Sequence, residues 1–159
     1  LLWTVLGRRG LEPSTPVKFS LGIAQAGLGF GALILGAANP DQAGLVSGYW
    51  MILAYLLHTC GELCLSPVGL SAVTKLSVPS ITGVMMGSWF LATAYSNFVA
   101  AQLSKIAAIE TVEGTVADVG TALASYTALF SKLFWVGLAV AAVLLALSPL
   151  LKRMMRGIH

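Results

Sequence analysis

The sequence predicts an all-α polytopic membrane helix bundle. Three observations carry that reading: an apolar composition, four apolar windows long enough to cross a bilayer, and a Lys/Arg bias that alternates from loop to loop. Of the 159 residues, 57% are hydrophobic and only 9% charged, and the mean hydropathy is +0.87. Soluble domains carry about a quarter charged residues, so this chain has too little polar surface to face water on its outside. No soluble domain is expected anywhere in residues 1–159. The net charge is +3, yet the basic residues form no stripe interleaved with aromatics, which speaks against a nucleic-acid partner. Membrane lipid is the expected surrounding.

Spanning the hydrocarbon core takes about 20 apolar residues, and the windows that qualify run over 18–38, 46–76, 81–108 and 127–151. Ahead of them, Leu1 to Leu6 reads as the last turns of a helix cut off upstream, so the chain is expected to be a fragment. Gly7 to Pro16 is a charged, Pro-containing loop, Asn39-Pro40-Asp41 a turn, Ser77 to Ser80 a short turn around Pro79, and Glu110 to Gly120 a longer polar loop. Cys60 and Cys64 are four apart, a spacing that fits neither a redox pair nor a zinc pattern, so both read as buried small hydrophobes.

If the chain weaves through a membrane, alternate loops should differ in Lys/Arg content. One side collects Arg8, Arg9, Lys18, Lys75, Lys152, Arg153 and Arg156 against the single acid Glu12. The other holds Asp41, Glu110, Glu113 and Asp118 with Lys105 and Lys132. The basic side is expected to be cytoplasmic, and with it the C-terminus of a multi-pass protein of the cell membrane.

One acid is left over once loops and termini are assigned. Glu62 falls in the middle of the second window, where a charge costs about 3 kcal/mol on insertion scales. Such a residue faces a wet cavity or a partner, and no Lys or Arg of the sequence lies at its depth. Helical steps of three and four put Tyr55, His58, Glu62, Ser66 and Gly69 on one stripe. Pro67 has no N–H to give to the Leu63 carbonyl and is expected to bend the helix one turn past Glu62. An orphan carbonyl at that depth is tolerated against protein or water, so the bend and the acid point to one cavity. His58 and Glu62 could be written as a metal pair, but two ligands do not make a site. His58 reads as a proton carrier or as a hydrogen-bonded spectator.

On the third window Trp89, Thr93 and Ser96 share a face, with Asn97 beside them. A Trp near mid-helix is too deep for an interfacial belt and either packs as core or walls a pocket. Gly27-x-x-x-Gly31 and Gly83-x-x-x-Gly87 are spacings that let helices approach closely, and packing within the bundle is expected of both.

Gly61-Glu62-Leu63-Cys64-Leu65-Ser66-Pro67-Val68-Gly69-Leu70, continued by Thr74-Lys75-Leu76, resembles the tenth-helix signature of the proton-dependent oligopeptide transporter family. Met85-Met86-Gly87-Ser88-Trp89-Phe90-Leu91-Ala92-Thr93-Ala94 resembles the start of that family's eleventh helix, Gly7-Arg8-Arg9-Gly10 the end of the eighth, and residues 127–151 the twelfth. The resemblance implies the C-terminal half of a major-facilitator-type transporter. It makes Glu62 the acid that faces the peptide's amino terminus and, in some members, pairs with a lysine of the N-terminal bundle. Ser66 and Trp89 become pocket residues, and Pro67 with Gly69 part of the bend in a cytoplasmic gate. The run Tyr95-Ser96-Asn97 departs from the small-residue and Gly approach to Asn more usual in the family, and the family's first-helix Glu/Arg cluster lies outside this chain.

The implied function is proton-coupled symport of di- and tripeptides, with protons as coupling ion, no other cofactor, and a small peptide and the N-terminal bundle as partners. Its rivals are a transporter of the same superfamily for a drug, nitrate or amino-acid conjugate, an intramembrane enzyme using His58 and Glu62 as acid and base, and a stand-alone structural subunit. The enzyme would need a nucleophile or metal at matching depth, and Cys60 points away from the stripe. The charge bias generates a direct test in the protein that carries this chain. A membrane-impermeant thiol reagent applied to intact cells is expected to miss a cysteine at position 12 and reach one at position 113, and the reverse pattern contradicts the topology.

Overall fold

The computed structural model describes residues 7, 10, 12–42, 44–106, 111–112, 115–116 and 119–155. Helix α1 spans Thr15–Ala37, α2 Gly48–Leu76, α3 Thr82–Ile106 and α4 Val119–Met154, with a 3-10 turn at Pro79–Ile81 between α2 and α3. The cut-off helix expected over residues 1–6 lies outside the described residues, as do Arg8, Arg9, Glu110, Glu113, Asp118 and Arg156.

Helix ends differ from the predicted windows for local reasons. α1 begins at Thr15 with Pro16 in its first turn, a place where the missing proline N–H had no helical partner to lose. It stops where the Asn39 side-chain amide donates to the Leu35 carbonyl at 2.8 Å. The turn that follows is closed by Asp41, whose Oδ1 accepts from the Leu45 amide at 2.7 Å. α4 starts at Val119 rather than 127, because Ala122 and Ala124 are good helix formers although Thr121 and Ser125 dilute the hydropathy. Within the loop predicted over Glu110 to Gly120, Thr111–Val112 and Thr115–Val116 form a two-residue antiparallel ladder, Thr111 opposite Val116.

Among the described residues three helices are, by length and composition, able to cross a membrane: Thr15–Ala37, Gly48–Leu76 and Val119–Met154, with mean hydropathies of 1.6, 1.4 and 2.3. The remaining predicted window, 81–108, corresponds to α3. Its 25 residues are long enough, but Ser88, Thr93, Ser96, Asn97 and Gln102 lower its apolarity below that of the other three.

α1 lies between α2 and α4 and approaches both closely, while α3 meets the bundle through α2. Toward α2, α1 presents Gly22, Gly29 and Gly36 at a seven-residue spacing. A Cβ on Gly22 would stand 2.6 Å from the Leu65 side chain, one on Gly29 2.4 Å from the His58 ring, and one on Gly36 2.6 Å from Trp50. Across the same seam, a Cβ on Gly61 would meet the Gly22 carbonyl at 2.9 Å. Toward α4, Gly27 and Gly31 lie against Gly137 and Phe134, and buried Ser20 donates its hydroxyl to the Ala141 carbonyl at 2.7 Å. The Gly27-x-x-x-Gly31 spacing therefore packs inside the bundle.

The interior is made of small residues: Ala32, Ala54, Ala122 and Ala141 are the buried hydrophobics among the described residues. Large side chains such as Leu28, Leu63, Leu91 and Trp135 are exposed, as lipid-facing residues are in helices that associate through close backbone packing rather than through the hydrophobic effect. A Cβ on Gly83 or Gly87 would meet nothing within 4 Å among the described residues, so the packing expected of that spacing is not met within these helices. One expectation needs correction. Cys60 and Cys64 are free and half-buried rather than buried, since they flank the α1-facing side of α2 instead of lying at its centre. At the basic end, Lys18, 5% exposed, pairs with Glu12.

Because the obstacle at Gly61 is a backbone oxygen, no rotamer change relieves it. Gly61→Val is expected to destabilise the protein by about 1–3 kcal/mol, read as a lowered thermal unfolding midpoint of the detergent-purified protein. An unchanged midpoint contradicts the close α1–α2 seam.

Candidate functional site

α2 is anchored at both ends by serine. Ser47 Oγ accepts from the Tyr49 amide at 3.4 Å at its start, and the Ser77 amide donates to the Val73 carbonyl at 3.1 Å at its end. Between them the helix runs without a break from Gly48 to Leu76, Pro67 included. Glu62 is its central residue.

Each residue turns a helix by about 100°, which divides the predicted stripe. The side centred on Ala54, Gly61 and Leu65 meets α1, and His58 sits at its edge and leans into it. His58 Nε2 is 2.9 Å from the Ala26 carbonyl, so the ring is the donor there in the tautomer that carries the proton on Nε2. The ring also lies 4.6 Å from that of Phe30. His58 is thus engaged in the α1–α2 seam and does not join Glu62. Tyr55, Glu62 and Ser66 remain on the open side, all exposed, Tyr55 at 74%. Pro67 is exposed beside them.

The stripe ends at Gly69, which is buried because Trp89 of α3 lies over it. Trp89 is half-buried, and of the two readings open to it, core or pocket wall, the packing of one ring edge on Gly69 supplies the first. Further along α3, Thr93 donates to the Trp89 carbonyl at 3.1 Å and Ser96 to the Thr93 carbonyl at 2.7 Å. Those hydroxyls are satisfied within their own helix, and Asn97 is exposed beside them.

Among the described residues no Lys or Arg pairs with Glu62, whereas Lys18 pairs with Glu12 at the basic end of α1. No three His, Cys, Asp or Glu side chains among the described residues come together as a metal site. A cleft of about 570 Å³ opens between α1, α2 and α4. It is lined by Tyr55 and His58 together with Trp50, Ala54, Tyr126 and Phe130. Its walls are apolar and aromatic, and Glu62 is not among them. The seven-residue spacing of Gly22, Gly29 and Gly36, which sets the seam that turns His58 inward, is a signal separate from Gly27-x-x-x-Gly31 and present in the sequence.

A lone acid on an open face of an apolar helix, one turn from a hydroxyl, is part of the arrangement implied by the family resemblance. The family model of the POT family matches residues 1–129. The chain belongs to the POT family. It is similar to the uncharacterized transporter YclF of Bacillus subtilis (strain 168), 38% identical over 99% of this chain and 28% of that protein. It is also similar to dipeptide and tripeptide permease A of Edwardsiella piscicida, 34% identical over 99% of this chain and 32% of that protein. Dipeptide and tripeptide permease B of Salmonella typhimurium is 34% identical over 96% of this chain and 31% of its own length. A solved structure of a peptide transporter in complex with sulfate matches with a TM-score of 0.78 at 35% identity, covering 98% of this chain and 28% of that one. These POT helices are therefore part of a major-facilitator-type bundle, and the chain spans about 30% of the length of the curated relatives it matches.

Proposed function

We propose that the complete protein is a proton-coupled symporter of di- and tripeptides, and that this chain supplies the C-terminal half of its substrate cavity and gate. The observation that carries the proposal is Glu62: central in α2, exposed on the side that α1 and α4 do not cover, and without a cation among the described residues. A carboxylate so placed in a membrane needs a partner from outside these helices. A peptide ammonium fits when substrate is bound, and a basic residue of the N-terminal bundle fits when it is not. The permease names of similar proteins support the peptide as substrate.

The chemistry is binding and gating. Glu62 accepts a charge-assisted hydrogen bond from the amine, Ser66 offers a hydroxyl one turn along, and Trp89 bounds the site. Transport then follows from rocking this bundle against the N-terminal one around the site. Pro67 frees the Leu63 carbonyl from its helical bond, leaving α2 able to flex where the gate needs it. Protons are the coupling ion, and the basic loops and the C-terminus face the cytoplasm.

The test uses the full-length transporter and a cycle of Glu62→Gln against N-acetylated dipeptide. Glu62→Gln is expected to weaken binding of a free dipeptide by roughly tenfold to a hundredfold, the worth of about 1.5–3 kcal/mol for a charged hydrogen bond. N-acetylation should then lose most of its own penalty in the variant. Additive penalties would show that Glu62 does not face the amine.

A further inference from the structure

His58 ties α2 to α1 by a bond that has a direction. Its Nε2–H donates to the Ala26 carbonyl at 2.9 Å. The ring lies in a notch that any side chain would close, since a Cβ on Gly29 would stand 2.4 Å from both Cδ2 and Nε2. The ring of Phe30, one turn beyond Ala26 on α1, lies against it at 4.6 Å between centroids. Other contacts of the seam are of a different kind. Gly22, Gly36 and Gly61 set how closely the two helices approach, but packing of small residues lets one helix slip or turn against the other. A hydrogen bond resists that motion, because it weakens steeply once it bends.

What the tie controls lies one turn away. Glu62 follows His58 by one helical turn on α2 and is exposed, on a helix whose side chains reach about 5–6 Å from its axis. Turning α2 by about 20° swings a group at that radius by about 2 Å, whereas N–H···O bonds form only within about 2.7–3.2 Å. A seam loose by that much loses the bond between the Glu62 carboxylate and an amine. We propose that His58 is a positioning residue of the transport site: its bond to the Ala26 carbonyl, made inside the Gly29 notch, fixes the rotation of α2 at which the Glu62 carboxylate meets the peptide amine. This rests on the reading of Glu62 as the amine's acceptor. The imidazole acts through Glu62 and not on the peptide.

Uptake of labelled dialanine by proteoliposomes of the full-length transporter, in competition with unlabelled dialanine or N-acetyl-dialanine, measures the preference for a free amine. His58→Leu fills the notch without a donor and is expected to lower that preference by about three- to tenfold, the scale of one hydrogen bond between membrane helices. His58→Gln, which carries an N–H near the place of Nε2, should keep the preference. Gly29→Ala evicts the ring with His58 intact and should match His58→Leu, so the result does not hang on the folding of one variant. In the Glu62→Gln background, His58→Leu should change the preference no further. Equal loss of both ligands in His58→Leu, an unchanged preference in Gly29→Ala, or a His58→Gln that behaves as His58→Leu marks a merely structural histidine; each overturns the inference and leaves the Glu62 reading standing. A preference that Glu62→Gln leaves intact overturns both.

Discussion

Backbone touches backbone along both sides of α1, and the rest of the arrangement depends on that closeness. Lipid gives apolar side chains no reason to leave it, so membrane helices associate where small residues let many weak contacts and a few hydrogen bonds form at short range. Gly22, Gly29 and Gly36 take up Leu65, His58 and Trp50 of α2, and Gly27 meets Gly137 of α4. The hydroxyl of Ser20 on the Ala141 carbonyl adds a polar tie. With α1 held on both sides, the rotation of α2 is fixed, and with it the direction in which every α2 side chain points.

That rotation decides the chemistry. Gly61 faces inward against the Gly22 carbonyl, and its neighbour Glu62, about 100° further round, faces outward. Had the seam been built on residue 62 instead, the carboxyl would have been buried between helices with no partner. The same rotation turns His58 onto the Ala26 carbonyl and lays Gly69 under Trp89. One helix thereby separates its polar residues: the imidazole serves the seam, and the carboxyl and the Ser66 hydroxyl stay available to a ligand or to protein beyond these helices.

Much of this was legible in the sequence, for physical reasons that can be named. A carboxylate surrounded by apolar residues is conspicuous because lipid tolerates it so poorly, so Glu62 stood out without a structure. The stripe built around it was legible as a periodicity, but periodicity does not say which edge of a stripe another helix will cover. Tyr55 and Ser66 remain open and His58 does not, because Gly29 leaves room for its ring, a fact about the facing helix. Hydropathy underestimated α4 at its start, where Ala122 and Ala124 continue the helix among hydroxyls, and ranked α3 with the other spans although its composition is more polar. Gly83 and Gly87 showed the spacing of a packed face, yet α3 turns them to open space among the described residues; spacing marks a capacity for close approach and does not supply the partner.

The account centres on the open stripe of α2 as the wall of a water-filled substrate cavity, and accessibility of Ser66 measures that most directly. In the full-length transporter with all other cysteines replaced by alanine, Ser66→Cys should react with a membrane-impermeant thiol reagent, and saturating dipeptide should slow the reaction several-fold. A residue facing lipid would not react at all, and one facing water outside the site would react at a rate indifferent to dipeptide; either result contradicts the account.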